Sequence, residues 1–256
     1  MISSFALFRE LRKLRKIADK RHPMYDQNRF AKYFMGFAVA LWLVYLVMFG
    51  VLFIPMFREL FPSMEPYHIF NKGMVYLLMA DFLMRFTMTK LPVQEIKSLI
   101  LLPVGKNRVL RAYLLMNSMS FNNLIWMFML VPFGFGTLFK YFGLVGVLGF
   151  LVGYWLLMLL NNYWYIACRT LINQHILYAL IPIVVYALLL VGLLVPDTNY
   201  IGNFCMELGE GFFLWEWQAF LGLIAAIVLM FNLCHALQKR VVYKELSKTE
   251  VIKKIK

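Results

Sequence analysis

Charged residues, and acidic ones above all, are scarce in this chain. They make up 15% of its 256 residues, whereas 62% are hydrophobic. Soluble domains usually have about a quarter charged and about half apolar residues, so the composition disfavours a soluble fold. Lys and Arg outnumber Asp and Glu by 26 to 13, which gives a net charge of +13. Because the bases lie between apolar runs, we interpret them as determinants of membrane orientation rather than of nucleic-acid binding.

Cysteine, histidine and catalytic motifs are also sparse. The three cysteines show no C-x-x-C spacing and the four histidines show no ligand spacing, so they predict no disulfide framework and no metal site. Gly105 and Lys106 resemble the end of a phosphate-binding loop. That motif needs a glycine five residues earlier and a hydroxyl directly after the lysine, where this chain has Ile100 and Asn107. We therefore predict that the chain is not an enzyme and holds no metal or cofactor.

Long uncharged stretches predict an all-α, polytopic membrane protein. A hydrocarbon core about 30 Å thick needs roughly 20 apolar residues in a helix. Six transmembrane helices are predicted near residues 33–57, 73–89, 112–136, 141–167, 175–195 and 217–238. The second of these is the weakest because Asp81 and Arg85 interrupt it. We therefore divide the chain into a cytoplasmic segment 1–32, a six-span domain 33–238 and a basic cytoplasmic tail 239–256.

The distribution of bases predicts the orientation of these spans. All but three of the 26 Lys and Arg residues fall in the segments that would lie on one side with both termini. The exceptions are Arg58, Lys72 and Lys140. Because cytoplasmic loops carry the excess of Lys and Arg, both ends are predicted to be cytoplasmic. Omitting the second span would move the basic region 85–111 outside, so the same rule supports that span.

The N-terminal segment has the pattern of a helix that lies in the membrane interface. Phe5, Phe8, Leu11 and Leu14 recur on one helical face, and Arg and Lys crowd the other face. Such a helix buries its apolar side among lipids and holds its cations near anionic head groups. A nucleic-acid-binding arm would have similar charge but would not need the apolar stripe, so we favour membrane lipid as the partner.

A second short helix is predicted between spans 2 and 3. Pro92 suits a first helical turn, apolar residues recur at helical spacing up to Ile100, and Pro103 with Gly105 ends the helix before a basic turn at 105–108. Such a helix is either a docking surface for a soluble partner or an anchor for its loop. The candidate coupling residues are Pro92, Glu95, Lys97, Pro103, Lys106 and Arg108.

Asp81 and Arg85 are the most informative polar pair, because four residues separate them and one helical face presents both. Ionisable residues at membrane depth usually face protein or water. One interpretation is a contact in a transport path or a conformational lock. The other, which we favour, is an ion pair near the inner end of span 2 whose arginine reaches the head groups.

Small and polar residues in spans 3 and 4 predict close helix packing. Interhelical hydrogen bonds account for the polar cluster, although a polar substrate path has a similar pattern. The polar residues are Asn117, Ser118, Ser120, Asn122, Asn123, Asn161 and Asn162, and the glycines that offer a smooth packing face are Gly143, Gly146, Gly149 and Gly153. The acidic loop 197–216 is predicted to be either a short re-entrant hairpin or a plain outer loop.

Together these features resemble one half of an ABC-2-type exporter permease. The closer resemblance is to an uncharacterised bacterial family of ABC-2-like permeases, carried by "LMRF", "LP" and "LLPV" within DFLMRFTMTKLPVQEIKSLILLPVGKNRVL. AKYFMGFAVALWLVYL and RVVYKELSK are also similar. The resemblance implies a bacterial inner-membrane location. It also implies that the helix at 92–108 couples to a separate cytoplasmic ATPase subunit.

The resemblance also implies how the chain works. Members of the closer family continue into a second membrane half, so we expect this chain to be either a fragment of a longer permease or a half-sized form that pairs with another copy or subunit. ATP hydrolysed by the partner would then drive export of an amphipathic or hydrophobic substrate. The rival hypotheses are an ion-coupled secondary transporter and a non-transporting membrane scaffold or assembly protein.

Overall fold

The computed structural model describes residues 9–10, 12–13, 29–88, 105–194 and 199–254, and no strand occurs among them. From Arg29 onward, the described residues form nine α-helices. They are α1 (Arg29–Leu60), α2 (Pro66–Lys72), α3 (Met74–Met88), α4 (Lys106–Ser118), α5 (Met127–Thr137), α6 (Phe139–Ile172), α7 (Leu180–Leu194), α8 (Tyr200–Phe213) and α9 (Trp217–Lys254). Short 3-10 turns occupy Phe121–Asn123 and Ile176–Ala179. The predicted all-α class is therefore confirmed for the described residues.

Several helices are long and apolar enough to cross a membrane. Within the described ranges these are Gly36–Leu60, Phe139–Ile172, Ile176–Leu193 and Trp217–Val241. Asn107–Ser118 and Phe121–Thr137 make a fifth crossing if the pair, bent by 43°, counts as one span. The remaining predicted span coincides with α3, whose 15 residues extend about 22 Å, less than the ~30 Å hydrocarbon thickness. The six-span arrangement therefore stays a prediction.

Helix α6 is the centre of the fold. It packs against α3, α5, α8 and α9, while α1 packs mainly on α5. Its residues Phe150, Tyr154 and Met158 are completely buried, whereas α1 exposes most of its large apolar side chains. A helix whose apolar residues cover its whole surface is typical of a membrane span that faces lipid on one side.

The predicted third span is not continuous. Asn123 lies in the turn between α4 and α5, and its side-chain amide donates to the carbonyls of Asn117 and Ser118. These bonds satisfy backbone groups that the end of α4 leaves unpaired. The interpretation of this cluster as interhelical hydrogen bonding is therefore wrong for Asn123, because its side chain caps the end of its own broken helix.

The glycine-rich face of α6 permits close helix packing, as predicted, and the helix packed on it is α8. A side chain at Gly153 would collide with the ring of Phe212, and one at Gly149 would meet the Phe212 carbonyl and the Trp215 indole. Gly143 has a different role. Its φ of 62° is a left-handed conformation inside α6, and the helix is kinked there. Close packing is therefore confirmed for Gly149 and Gly153.

The acidic segment before α9 is described from residue 199 onward, and there it is neither a hairpin nor a plain loop. Residues Tyr200–Phe213 form the single helix α8, and the Asn199 side chain caps it by accepting from the Gly202 N–H at 2.9 Å. Gly202, Cys205, Gly209 and Phe212 are buried on one face of α8. This helix packs on α2 and α6. The predicted hairpin or loop is therefore wrong, because small and apolar residues at helical spacing bury this segment.

Candidate functional site

The polar centre of the structure is an ion pair on α3, between Asp81 near its middle and Arg85 in its last turn. Arg85 Nε donates to Asp81 Oδ2 at 2.7 Å. The two residues are 2% and 3% exposed. Burying two charges is costly unless each is paired and hydrogen-bonded, so the surroundings of this pair determine whether it is stable.

Both oxygens of Asp81 accept further hydrogen bonds from neighbouring helices. Oδ1 accepts from Trp126 Nε1 at 2.8 Å, and Oδ2 accepts from Asn161 Nδ2 at 2.7 Å. Trp126 directly precedes α5, and Asn161 lies in α6. The carboxylate thus connects α3 to both helices through charge-assisted bonds, which are stronger than neutral ones.

Two more residues complete the network. Arg85 Nη1 donates to Asn162 Oδ1 at 2.9 Å, and Tyr186 on α7 donates from its hydroxyl to Asn161 Oδ1 at 3.1 Å. We call this set the polar clamp. It consists of Asp81, Arg85, Trp126, Asn161, Asn162 and Tyr186. The clamp joins α3, α6 and α7 and the start of α5 in a water-poor environment where hydrogen bonds are strong.

The structure confirms part of what the sequence predicted for these residues. Asp81 and Arg85 do form an i,i+4 ion pair, and Asn161 and Asn162 do hydrogen-bond between helices. The prediction that Arg85 reaches the head groups is wrong, although Arg85 does lie in the last turn of α3. Its guanidinium is held inside by Asp81 and Asn162, because a buried carboxylate one turn away is a better partner than distant solvent.

Trp126 and Tyr186 were not identified from the sequence. Both are buried, at 8% and 9% exposure. A weak signal existed, since buried indole N–H and phenol O–H groups usually need a polar partner. Their identity as partners of Asp81 and Asn161 depends on contacts 45 and 25 residues apart along the chain, which one sequence does not reveal.

Most of the predicted coupling residues lie outside the described residues, namely Pro92, Glu95, Lys97 and Pro103. The last two are described in part. Lys106 begins α4 after Gly105, and Arg108 is exposed in its first turn. The predicted basic turn at 105–108 is therefore wrong for 106–108, which are helical. Val109 and Leu110 follow at once and are buried, so core packing fixes the start of this helix.

An apolar cavity of about 740 Å³ borders the clamp, and we call it the outer cavity. Side chains from α1, α2, α3 and the start of α5 line it, together with Leu193 and Asn199. The other lining residues are Phe53, Phe57, Phe61, Met64, Ile69, Phe70, Lys72, Gly73, Tyr76, Leu77, Ala80, Trp126 and Met129. Its size falls in the ~300–1,000 Å³ range of ligand pockets. Trp126 belongs to both features, since it lines the cavity and donates to Asp81.

A second apolar groove also borders the clamp. It measures about 440 Å³ and is lined by residues of α3, α6, α7 and α9. Leu160, Trp164, Leu189 and Met230 are among its apolar walls, and Asn161 and Tyr186 of the clamp also line it. Members of the polar clamp therefore line two spaces that can accept apolar groups.

Polar contacts also occur at the end of the molecule that carries α2 and α8. Tyr141 Oη donates to Glu65 at 3.1 Å, and Tyr154 Oη donates to Asn71 at 2.9 Å. His68 Nδ1 approaches Glu210 to 2.9 Å, without the alignment of a hydrogen bond. Burial, and secondarily the Glu65 carboxylate, raises the pKa of Tyr67 above its ordinary value, so this phenol stays neutral.

Comparison with known proteins identifies a family but no individual relative. No curated protein and no solved structure matches the chain. The model of one family matches residues 16–256, which is nearly the whole chain. On this evidence the chain belongs to the family of unknown function DUF5687.

Proposed function

We propose that this protein is the membrane-spanning subunit of an ABC-type exporter. A separate subunit hydrolyses ATP, and this chain moves an amphipathic or hydrophobic substrate across a bacterial inner membrane with both termini in the cytoplasm. The chain pairs with a second membrane half. The observation that carries the proposal is the outer cavity, an apolar, ligand-sized space between membrane-length helices that opens to the surface.

The arrangement of α1 and α3 around this cavity supports a moving part. Helix α1 packs mainly on α5, and α3 packs mainly on α6. Phe53 and Phe57 of α1 face Leu77 and Ala80 of α3 across the cavity. Two helices that are held by different neighbours can separate without unpacking the core, which an alternating path requires.

The positions of the exceptional bases support the proposed orientation. Arg58 lies in the last turn of α1 and Lys72 ends α2, while Lys140 is the second residue of α6, next to Tyr141. The Tyr141–Glu65 bond brings these elements to one end of the molecule. Arg169 lies against Phe86 at the opposite end, 3.9 Å from the ring centroid. Membrane proteins keep their basic loops inside, so the end with Arg169 is the proposed cytoplasmic side.

In this proposal α3 also crosses the membrane, although it is short, and it brings the number of crossings to six. The clamp shields Asp81 and Arg85 from lipid, because α6, α7 and the start of α5 surround them. Closure of the ATPase subunits pushes on the segment 92–108. The push tilts α1, α3 and α7 relative to α6 and opens the path outward. The clamp, which joins two of these helices to α6, fixes the resting arrangement.

Charge reversal at the proposed coupling segment tests the function. The chain is purified in mild detergent from its own host without over-expression of other proteins, and both ATPase activity and co-purifying polypeptides are measured. We expect a nucleotide-hydrolysing subunit to co-purify with the native chain and to be lost with Glu95→Arg or Lys97→Glu. Lys140→Glu is the matched control, since Lys140 is exposed at the opposite end.

Retention of the ATPase in both reversals, or its absence from the native preparation, contradicts the exporter proposal. Uptake driven by a proton gradient in vesicles that hold only this chain would instead favour a secondary transporter. Orientation is tested separately with an impermeant thiol reagent. The native cysteines Cys168, Cys205 and Cys234 are buried, so a cysteine introduced at Lys140 should react in intact cells and one introduced at Lys106 should not.

A further inference from the structure

Among the described residues that line the outer cavity, one side chain is cationic and most of the others are apolar. Six of its lining residues are aromatic, and most of the rest are aliphatic or methionine. Apart from the tyrosine and tryptophan, the polar side chains among them are Lys72 and Asn199. Lys72 is half-buried at the end of α2. A cation at the margin of an apolar cavity creates a site with two chemically different parts.

Two acids close to α2, Glu65 before it and Glu210 on α8, are engaged with other residues. Glu65 accepts from Tyr141, and Glu210 lies against His68. Within the described ranges, no carboxylate forms an ion pair with Lys72. A half-buried ammonium group gains most from an anion that approaches it from the cavity, because the apolar walls reduce screening by water.

Asn199, the other polar residue, adds no charge to this lining. Its side-chain oxygen already accepts from the Gly202 N–H, which caps α8. The remaining walls offer rings and alkyl groups, such as Phe57, Leu77 and Met129. These walls fit an extended hydrocarbon, whereas a polar solute would lose its hydration without replacement hydrogen bonds.

We infer that the outer cavity binds an anionic amphiphile, with its acyl chain between α1 and α3 and its carboxylate or phosphate on Lys72. This inference rests on the proposed function and names the substrate class of the same cavity. A fatty acid and an anionic phospholipid share this chemistry. A neutral lipid leaves Lys72 without a partner, and a cationic amphiphile is repelled by it.

Trp126 connects occupancy to the rest of the protein. Its ring lines the cavity, and its indole N–H holds Asp81 at 2.8 Å. An acyl chain that fills the cavity therefore contacts a member of the polar clamp. Through this contact, a bound amphiphile acts directly on the residue that links α3 to the start of α5.

Binding is measured on the purified full chain in phosphatidylcholine nanodiscs, with empty nanodiscs as the background. The probes are tritiated stearate and tritiated phosphatidylglycerol. The competitors are methyl stearate, which is neutral, and stearyltrimethylammonium, which is cationic. We expect saturable binding of at least one anion, with the neutral and cationic competitors about tenfold weaker or worse, the scale of one charge-assisted contact.

Substitutions locate the site. Lys72→Gln should weaken anion binding about tenfold, Lys72→Arg should retain it, and Lys140→Gln should leave it unchanged. Ala80→Phe fills the cavity and should abolish binding. Its matched control is Ala187→Phe, because Ala187 is exposed on α7. Size-exclusion chromatography checks that each variant remains folded.

The two anions separate the sources of the ligand. Saturable binding of phosphatidylglycerol without stearate assigns a phospholipid, and the reverse assigns a free fatty acid; both support the inference. Equal binding of methyl stearate, or no effect of Lys72→Gln, overturns it. The assay contains no ATPase. If the exporter proposal fails, this assay can therefore still demonstrate a Lys72-dependent binding site. If binding proves to be independent of charge, the exporter proposal is unaffected.

Discussion

Two acid–base pairs of this protein show how strongly burial determines the contribution of such a pair to stability. Asp81 and Arg85 have side chains that are each 3% exposed, and they lie 2.7 Å apart inside a network from several helices. His68 and Glu210 are 29% and 32% exposed and join α2 to α8 at one end. The first pair cannot return to water when one partner is lost, whereas the second can. Similar distances therefore imply very different contributions to stability.

The largest effect is expected from breaking the buried Asp81–Arg85 pair. Asp81→Ala leaves Arg85 buried without its carboxylate and releases Trp126 and Asn161. Removing one member of a buried ion pair typically costs about 3–5 kcal/mol. The free energy of unfolding in mixed detergent micelles measures this loss.

A double-mutant cycle sharpens the same prediction. Arg85→Ala and the double variant Asp81→Ala/Arg85→Ala complete it. We expect the double variant to lose less stability than the two single losses together, by about 0.5–3 kcal/mol, because it removes both charges. Strictly additive losses would show that the two side chains do not interact.

The next effect is expected at the link between the clamp and the outer cavity. Trp126→Phe keeps an aromatic ring on the cavity lining but removes the N–H that Asp81 Oδ1 accepts. A lost hydrogen bond to a buried charged group costs about 1.5–3 kcal/mol. Thermal unfolding in detergent measures it. Trp42→Phe is the matched control, since Trp42 is exposed on α1, and an equal loss in both variants contradicts the role given to the indole N–H.

Packing of α8, rather than charge, holds the His68–Glu210 pair in place, and a glycine substitution tests this. Gly153→Leu forces a side chain into the ring of Phe212 and displaces α8. Overpacking of this kind costs about 1–3 kcal/mol. Gly222→Leu is the control, because no atom lies within 4 Å of a side chain added there. If both leucine variants have the same Tm as the native protein, α8 is not held by the contact between Gly153 and Phe212.

The smallest effect is expected from removing the charge of the partly exposed His68–Glu210 pair. Glu210→Gln removes the charge that faces His68 but leaves the helix and its packing intact. Partly exposed ion pairs contribute about 0–1 kcal/mol. The same unfolding assay measures the change, with Asp81→Asn run beside it as the inner counterpart. A loss from Glu210→Gln as large as that from Asp81→Asn would contradict the difference between the two regions.

Long apolar runs predicted most of the helices well. The predicted spans 33–57, 141–167 and 217–238 lie within α1, α6 and α9, and 175–195 overlaps α7 closely. Length and hydropathy suffice there, because each such helix satisfies its own backbone hydrogen bonds. The same reasoning failed at α8, whose Gly202, Gly209 and Gly211 suggested a loop. A side chain at Gly209 would collide with Asn71, so these glycines serve close packing and not a turn.

The candidate site was predictable only in part. The spacing of Asp81 and Arg85 predicted their ion pair because i,i+4 contacts are local. The break after Ser118 was missed, although Asn122 and Asn123 mark it, because a polar cluster in a span indicates either a cap or an interhelical contact. The outer cavity had no signal at all, since its walls come from five helices and the segments between them.

The sequence by itself determined that this chain folds as long apolar helices, with its charges collected into a few segments. These properties follow from periodicity, length and composition, which are local. Only the tertiary structure decided which groups meet Asp81. Asn161 and Trp126 are 80 and 45 residues away from it. Many pairings of apolar helices bury similar areas, and the pairing that also satisfies this buried charge is determined by the whole set of contacts at once.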